Sequence, residues 1–572
     1  MRAMRPALVL PLFFLASCGG SAPAPVTAPP ATGNVLISIV GTNDLHGHIR
    51  ALPLLGGYLA NLRAARERDG GAVFLFDGGD LFQGTLESNL REGAPVVAAY
   101  DLLGYDAVTI GNHEFDYGPV GEDATVEHEG QDPRGALRAR IAESRFAWLS
   151  ANIVNRETGA NAGLAPNSTV IERDGVRVAV IGVTTEQTLT TTIAANVSDL
   201  AIRPLGVAIA AEAQRLRSEE HADVVVVAAH AGGNCTALVD AHDTTSCDSH
   251  DEIFQVADAL PEGLVDVIVA GHTHAAVAHF VHGIAIIESR SYGRAFGRVD
   301  LVIDRGAHRI VSAEILPSHD LCRTAPAPDA DPSLCERDDY EGAAVTPDAR
   351  VAAIVGEALT FADEQRSRPL GVTVSAQIRR DHDGENALGN LFTDLMHQAR
   401  PVADLALYNG GGLRADLPAG PLTYGSFYEA LPFDNRFALV RTNGHDVAAL
   451  FARDISHEGS ALSESGLRIV ARCEGTEVRV SLERADGRPV RDDEPLTIVT
   501  SDFIATGGDG FFVHARETPG AVTLEEDPPM REAMVALLTA NGGTLDPHVL
   551  LDPEHPRIVV PGGHRPLTCQ TQ

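Results

Sequence analysis

The sequence predicts a layered α/β protein of more than one domain. Its 572 residues exceed what one ordinary core organises, and 44% apolar with 21% charged residues is a globular composition. From Val35 to about Pro317, short apolar runs alternate with helical patterns, as strands layered against helices require. Ser318 to Pro347 then holds Pro, Asp and a close cysteine pair, the composition of a domain boundary.

The chain opens on a processing signal. Arg2 and Arg5 make a charged start, Ala7 to Phe14 an apolar run too short to span a bilayer, and Leu15-Ala16-Ser17-Cys18 resembles a bacterial lipobox. That resemblance implies a signal peptide over residues 1–17 and lipid attachment to the Cys18 sulfur, so that a membrane is a partner. The alternative is an ordinary signal peptide with a chance cysteine. Residues 18–33, rich in Pro and Ala, read as a tether. Gly19 after the cysteine leans towards the outer membrane in the usual sorting pattern, and the expected location is the cell envelope. The other six cysteines suit an oxidising compartment. Short loops favour Cys235 with Cys247 and Cys322 with Cys335, which leaves Cys473 with Cys569, among the many pairings six cysteines allow.

The formal charge is -34 and no basic stripe is present, which argues against a nucleic-acid polymer as partner. All 44 basic residues are Arg, so any protein cation that grips phosphate has the forked guanidinium geometry.

The strand ends carry the chemistry. Val35 to Gly41 leads into Thr42-Asn43-Asp44-Leu45-His46-Gly47, and Val73 to Phe76 into Asp77-Gly78-Gly79-Asp80. Ala107 to Ile110 leads into Gly111-Asn112-His113-Glu114-Phe115-Asp116. Val224 to Ala229 ends at His230, and Val265 to Ala270 ends at Gly271-His272-Thr273-His274. A polar turn after one strand is ordinary, but chance does not put metal-ligand residue types after five successive buried strands. Asp44, His46, Asp80, Asn112, His230, His272 and His274 suffice for two metal ions sharing one carboxylate. Mixed imidazole and carboxylate donors suit Zn, Mn or Fe better than Ca.

In order and spacing these motifs resemble the calcineurin-like metallophosphoesterases, and Gly-Asn-His-Glu-Phe-Asp resembles the periplasmic 5'-nucleotidase/UDP-sugar hydrolase group. The resemblance implies a four-layer αββα domain over residues 34–317, a linker and interdomain helix over 318–365, and an α+β substrate-binding domain over 366–572. It implies that Asp44, His46, Asp80 and His274 hold one divalent ion and Asp80, Asn112, His230 and His272 the other. Such a pair, about 3.5–4 Å apart, acidifies a bridging water and neutralises phosphoryl charge. His113 would stabilise the transition state across the phosphate, oriented by Asp116, while Glu114 would be a structural acceptor.

In the second half, Tyr408-Asn409-Gly410-Gly411-Gly412-Leu413-Arg414, Leu431-Pro432-Phe433 and Ser501 to Gly510 resemble the nucleotide-binding domain of the same family. By that resemblance Phe433 and Phe503 sandwich a base, Asp509 accepts from ribose hydroxyls, Asn409 touches the nucleoside, and Arg414 grips phosphate. Arg379 and Arg380 stand near where relatives carry further arginines. Residues 120–134 and 235–247 read as surface insertions beside the site mouth. The expected activity is phosphate release from nucleoside 5'-monophosphates. UDP-sugars or 2',3'-cyclic nucleotides are alternative substrates, and a nucleotide-binding surface lipoprotein is the non-enzymatic alternative. The oligomeric state is open.

Overall fold

The computed structural model describes residues 33–121, 123–323, 335–381, 384–457, 461–513, 515, 518–525, 529–563 and 565–569. The signal peptide, Cys18 and all of the tether but Gly33 lie outside the described residues.

The first domain is built on two six-stranded sheets. One runs in the order Arg309–Asp320, Ala295–Asp304, Asn34–Thr42, Ala72–Asp77, Ala107–Thr109, Ala147–Leu149, the last four parallel. The other runs Ala276–Val281, Ile284–Ser289, Val267–Val269, Val224–His230, Val176–Thr184, Ser168–Arg173, with the middle four parallel. Ala72–Asp77 and Val224–His230 are buried along their whole length. Strands covered on both faces need such unbroken apolar runs. Ile37, Phe74, Val180, Val226 and Val299 fill the space between the sheets. The outer face of the first sheet packs on helices Leu52–Asp69 and Ala94–Leu103, and that of the second on Leu205–Ser218 and Glu252–Ala259. This is the αββα stack that the family resemblance implies.

Register aligns the chemistry. Thr42 pairs with Asp77 and Asp77 with Val108 in one sheet, and Thr184 pairs with His230 in the other. The carboxyl ends of the parallel strands therefore open at one edge, where α/β folds hold ligands.

Helix Ala349–Arg366 leads to the second domain, its first turn capped by the Asp348 carboxylate on Arg350 N and Val351 N. Its buried stripe is Val351, Val355, Ala358 and Ala362. Phe361 falls off that stripe and is 52% exposed under the Arg91 guanidinium. Arg366 at the helix end pairs with Glu87 of the first domain and Glu429 of the second.

The second domain centres on a mixed five-stranded sheet, Leu462–Ser465, Leu405–Asn409, Pro495–Ser501, Phe437–Asn443, Val522–Leu524. Phe392, Leu407, Phe427, Phe437 and Phe451 form its core with helix Ala387–Ala399. Asn386 caps that helix by accepting from Gly389 N at 2.8 Å.

The three expected disulfides are present: Cys235–Cys247, Cys322–Cys335 and Cys473–Cys569. Of the two insertions, only 235–247 departs from expectation. The segment 120–134 docks on the second domain through Glu127 and Arg436, 2.6 Å apart. The loop 235–247 instead covers the edge strand Ala276–Val281, where Phe280 N donates to Ala241 O at 2.7 Å, and contributes nothing to the cleft lining. An edge strand with free backbone groups is the natural seat for a polar loop.

Candidate metal centre and substrate cleft

Five of the metal-type residues leave their strands in the left-handed region: Asp44 (φ 50), His46 (49), Asp80 (58), His272 (81) and His274 (58). Asp and His tolerate that conformation better than most, yet each instance is strained and persists only where the surroundings enforce it. Here they do. Asp44 N donates to Gly79 O and His46 N to Asp80 O, each at 3.0 Å. The buried Glu114 carboxylate accepts from Asp80 N (2.9 Å), Leu81 N (2.7 Å) and Gly111 N (2.7 Å). Glu114 is thus the clamp that fixes the Asp80 loop against the third strand.

Gly111 is required by space: a Cβ there would stand 2.2 Å from Asp80 Oδ1. Gly111→Ala should displace the carboxylate by a fraction of an ångström or more. A loss of about 10²-fold in kcat with an unchanged circular-dichroism spectrum is expected; full activity in the variant would show that Asp80's position is not critical.

The seven ligand candidates form two groups. Asp44, His46 and His274 offer donor atoms within 4.8 Å of one another, as do Asp80, His230 and His272. Asp80 Oδ2 lies 3.6 Å from His46 Nε2 and 3.2 Å from His230 Nε2, so one oxygen faces both groups. Asn112 donates through Nδ2 to Thr191 O at 3.1 Å, which turns its Oδ1 to within 2.8 Å of His230 Nε2.

The donor set fits metal ions. His46 Nδ1 donates to Gln83 O at 2.8 Å and His230 Nδ1 to Gly78 O at 2.8 Å, so each presents its Nε2 to the site. His46 Nε2 then faces His274 Nε2 at 3.0 Å, and His230 Nε2 faces His272 Nδ1 at 3.2 Å. Opposed imidazole nitrogens around buried carboxylates call for a cation between them. Burial pushes His272 down to about 3 and holds His46 and His274 well below the ordinary imidazole range. Burial opposes protonation of His230 too, but the Asp80 carboxylate overrides it and lifts the ring to about 10. These are deprotonated donors and one proton-bearing ring that a divalent ion would displace.

His113 stands beside this cluster. Its Nδ1 is 2.6 Å from Asp116 Oδ2, and Asp116 Oδ1 accepts from Thr192 Oγ1 at 2.7 Å. Burial alone would lower the His113 pKa, but Asp116 and Asp80 together raise it above the ordinary value. The ring lies 5.3 Å from that of His46 and 5.6 Å from that of Phe433.

A cleft of about 940 Å³ joins these residues to the second domain. It is lined by Asn112, His113, His272 and His274 on one side and by Arg380, Asn409, Arg414, Phe433, Phe503 and Asp509 on the other. Asn409 Nδ2 donates to Asp509 Oδ2 at 2.7 Å. Arg414 NH2 comes within 3.3 Å of His46 Nε2, which brings a guanidinium from one domain to the metal-type residues of the other. Arg379 does not line the cleft. It is exposed, because neighbours in the extended segment after Ile378 face opposite ways and only Arg380 turns inward.

The structure adds residues that sequence reasoning passed over. Asn43 donates to Asp44 Oδ2 at 2.7 Å and accepts from Ser289 N at 2.8 Å, and Asp77 accepts from Gly79 N at 2.8 Å ahead of Asp80. Both stood in the quoted motifs, in positions a polar turn explains equally well. Arg453 and Arg565 also reach the cleft, and no motif marked them.

Residues 37–276 match the model of the calcineurin-like phosphoesterases, and residues 364–516 that of the 5'-nucleotidase C-terminal domain. The chain belongs to this two-domain phosphoesterase family. It is 28% identical over 506 residues to Endonuclease YhcR of Bacillus subtilis, covering 84% of this chain and only 38% of that longer protein. It is 26% identical over 510 residues to Protein UshA of Yersinia enterocolitica, covering 83% and 86% of the two chains. The crystal structure of a 5'-nucleotidase precursor from Thermus thermophilus shares the fold, with a TM-score of 0.68 at 24% identity over 89% of this chain and 97% of that one. Calcineurin-like phosphoesterases use two divalent metals, and the phosphoesterase described here carries both clusters.

Proposed function

We propose that this phosphoesterase releases phosphate from nucleoside 5'-monophosphates. One observation carries the proposal: Asp80, Asn112, His272 and His274 of the metal-type donors, and the His113–Asp116 pair, line the same cleft as Phe433, Phe503 and Asp509. One wall suits a phosphoryl group and the other a nucleoside.

Asp44, His46 and His274 would hold one divalent ion, Asn112, His230 and His272 the second, and Asp80 both. Bound there, the ions supply Lewis-acid polarisation of phosphoryl oxygens and an acidified water at neutral pH. Arg414 offers a forked cation to the phosphate. His113, kept protonated by Asp116, faces the developing charge on the leaving oxygen and returns a proton to it. Phe433 and Phe503 give flat apolar faces to a base, and Asp509, steadied by Asn409, accepts from ribose hydroxyls. Because phosphate and nucleoside groups sit on different domains, closure of one on the other assembles the site.

Phosphate release from AMP by purified protein tests this. We expect turnover with Mn or Zn, loss on chelation, and recovery when metal is returned. No release under any divalent metal would refute the proposal, and UDP-sugars and 2',3'-cyclic nucleotides belong in the same assay.

We also propose export and lipid anchoring through Cys18. Three disulfides agree with an oxidising compartment, and no helix among the described residues is long and apolar enough to cross a membrane. Metabolic labelling with a palmitate analogue should mark the wild-type chain and not Cys18→Ser; equal labelling of both would remove the anchor.

A further inference from the structure

The segment 185–192, which leaves the strand Val176–Thr184, touches the ion cluster at several points. Thr185 N donates to His230 O at 2.9 Å. Thr191 O accepts from Asn112 Nδ2, and Thr192 Oγ1 holds Asp116 behind His113. Gln187 adds a further contact: its Oε1 lies 3.4 Å from His272 Nε2.

His272 differs from the other two rings whose outward nitrogen has a partner. His46 and His230 turn Nδ1 away from the cluster, each onto a buried backbone carbonyl. His272 is reversed, with Nδ1 facing His230 Nε2 at 3.2 Å and Nε2 turned to the cleft wall, where a side chain meets it. Gln187 and His272 both line the cleft. A neutral ring that gives one nitrogen to an ion carries its proton on the other, and the acceptor there fixes both tautomer and ring orientation. At 3.4 Å the contact is at the long end of a hydrogen bond, but coordination of a cation makes Nε2–H a stronger donor.

The backbone of Gln187 is held firmly for an exposed residue at a cleft wall. Its N donates to Thr185 Oγ1 at 3.1 Å, and that hydroxyl donates to Glu252 Oε2 at 2.6 Å. Its O accepts from Thr190 N at 2.8 Å, Thr190 Oγ1 at 2.9 Å and Thr191 Oγ1 at 3.0 Å. The turn therefore presents the carboxamide to His272 from a fixed base.

We propose that Gln187 is a positioning residue for the second ion: its carboxamide oxygen receives the Nε2 proton of His272 and so keeps Nδ1 turned to the cation. This inference rests on the two-ion reading of the cluster and not on the choice of substrate.

Mn binding to the full chain, followed by the electron paramagnetic resonance signal of free Mn, tests this with no substrate present. The wild-type protein should take up two ions. Gln187→Ala should also take up two, with one binding step weakened by about tenfold and the other unmoved. Gln187→Glu keeps an acceptor at the same reach and should restore the weakened step. Gln187 is exposed, so neither substitution removes core packing. Phosphate release from AMP by Gln187→Ala should need correspondingly more Mn, with kcat recovering at saturation. Two unshifted steps in Gln187→Ala, or a weakening that Gln187→Glu does not reverse, would overturn the inference and leave the two-ion site standing. A wild-type protein that takes up fewer than two Mn ions would overturn the two-ion reading and this inference together.

Discussion

Asp80→Ala should lose both metal ions and at least about 10³-fold in kcat. The expected size follows from several kcal/mol of charge stabilisation at about 1.4 kcal/mol per tenfold. One carboxylate oxygen stands 3.6 Å from His46 and 3.2 Å from His230, so its removal strips a donor from both groups at once. Asp44 offers its donor atom to the group of His46 and His274, with Oδ1 3.5 Å from His274 Nε2, while its contact with the other group is to the backbone, Oδ2 accepting from His272 N at 2.9 Å. Asp44→Ala should therefore leave the second ion in place. Metal analysis after gel filtration separates the cases. An Asp80→Ala protein that still holds two ions would show that Asp80 is not shared.

His113→Ala should lower kcat by about 10²–10⁴-fold while both ions remain bound. His113 reaches the cleft but belongs to neither donor group, and its Nδ1 is committed to Asp116. If metal is lost with activity, His113 is a ligand and the assignment fails. A pH profile gives an independent check. Burial pulls the ring down, yet Asp116 and Asp80 raise its pKa above 6.5, so the imidazolium persists past that pH. Activity that needs the charged ring falls as pH rises through this raised value. Asp116→Asn removes the attraction and should move the alkaline limb to lower pH; an unmoved limb would mean that His113 is not the proton donor.

Much of the first domain was legible because buried parallel strands must be apolar throughout. Ala72–Asp77 and Val224–His230 stand out on that ground alone, and their polar termini then mark the site. The pairing of His46 with His274, and of His230 with His272, needed more than periodicity. His272 and His274 separate into different groups because both adopt positive φ after the strand, and no alternation rule foresees that. In the second domain, Arg379 and Arg380 could not be told apart by sequence, since one residue of register decides which faces the cleft. Arg565 was invisible for a different reason. Only in the folded chain does the Cys473–Cys569 bridge, across a sequence separation of 96, return its segment to the cleft.

Anomalous diffraction from Mn-soaked crystals tests most directly whether a pair of metal ions shares Asp80. Two peaks about 3.5–4 Å apart are predicted, one against Asp44, His46 and His274 and the other against Asn112, His230 and His272, with Asp80 between them. A single peak, or a pair with Asp80 bound to only one, would contradict it.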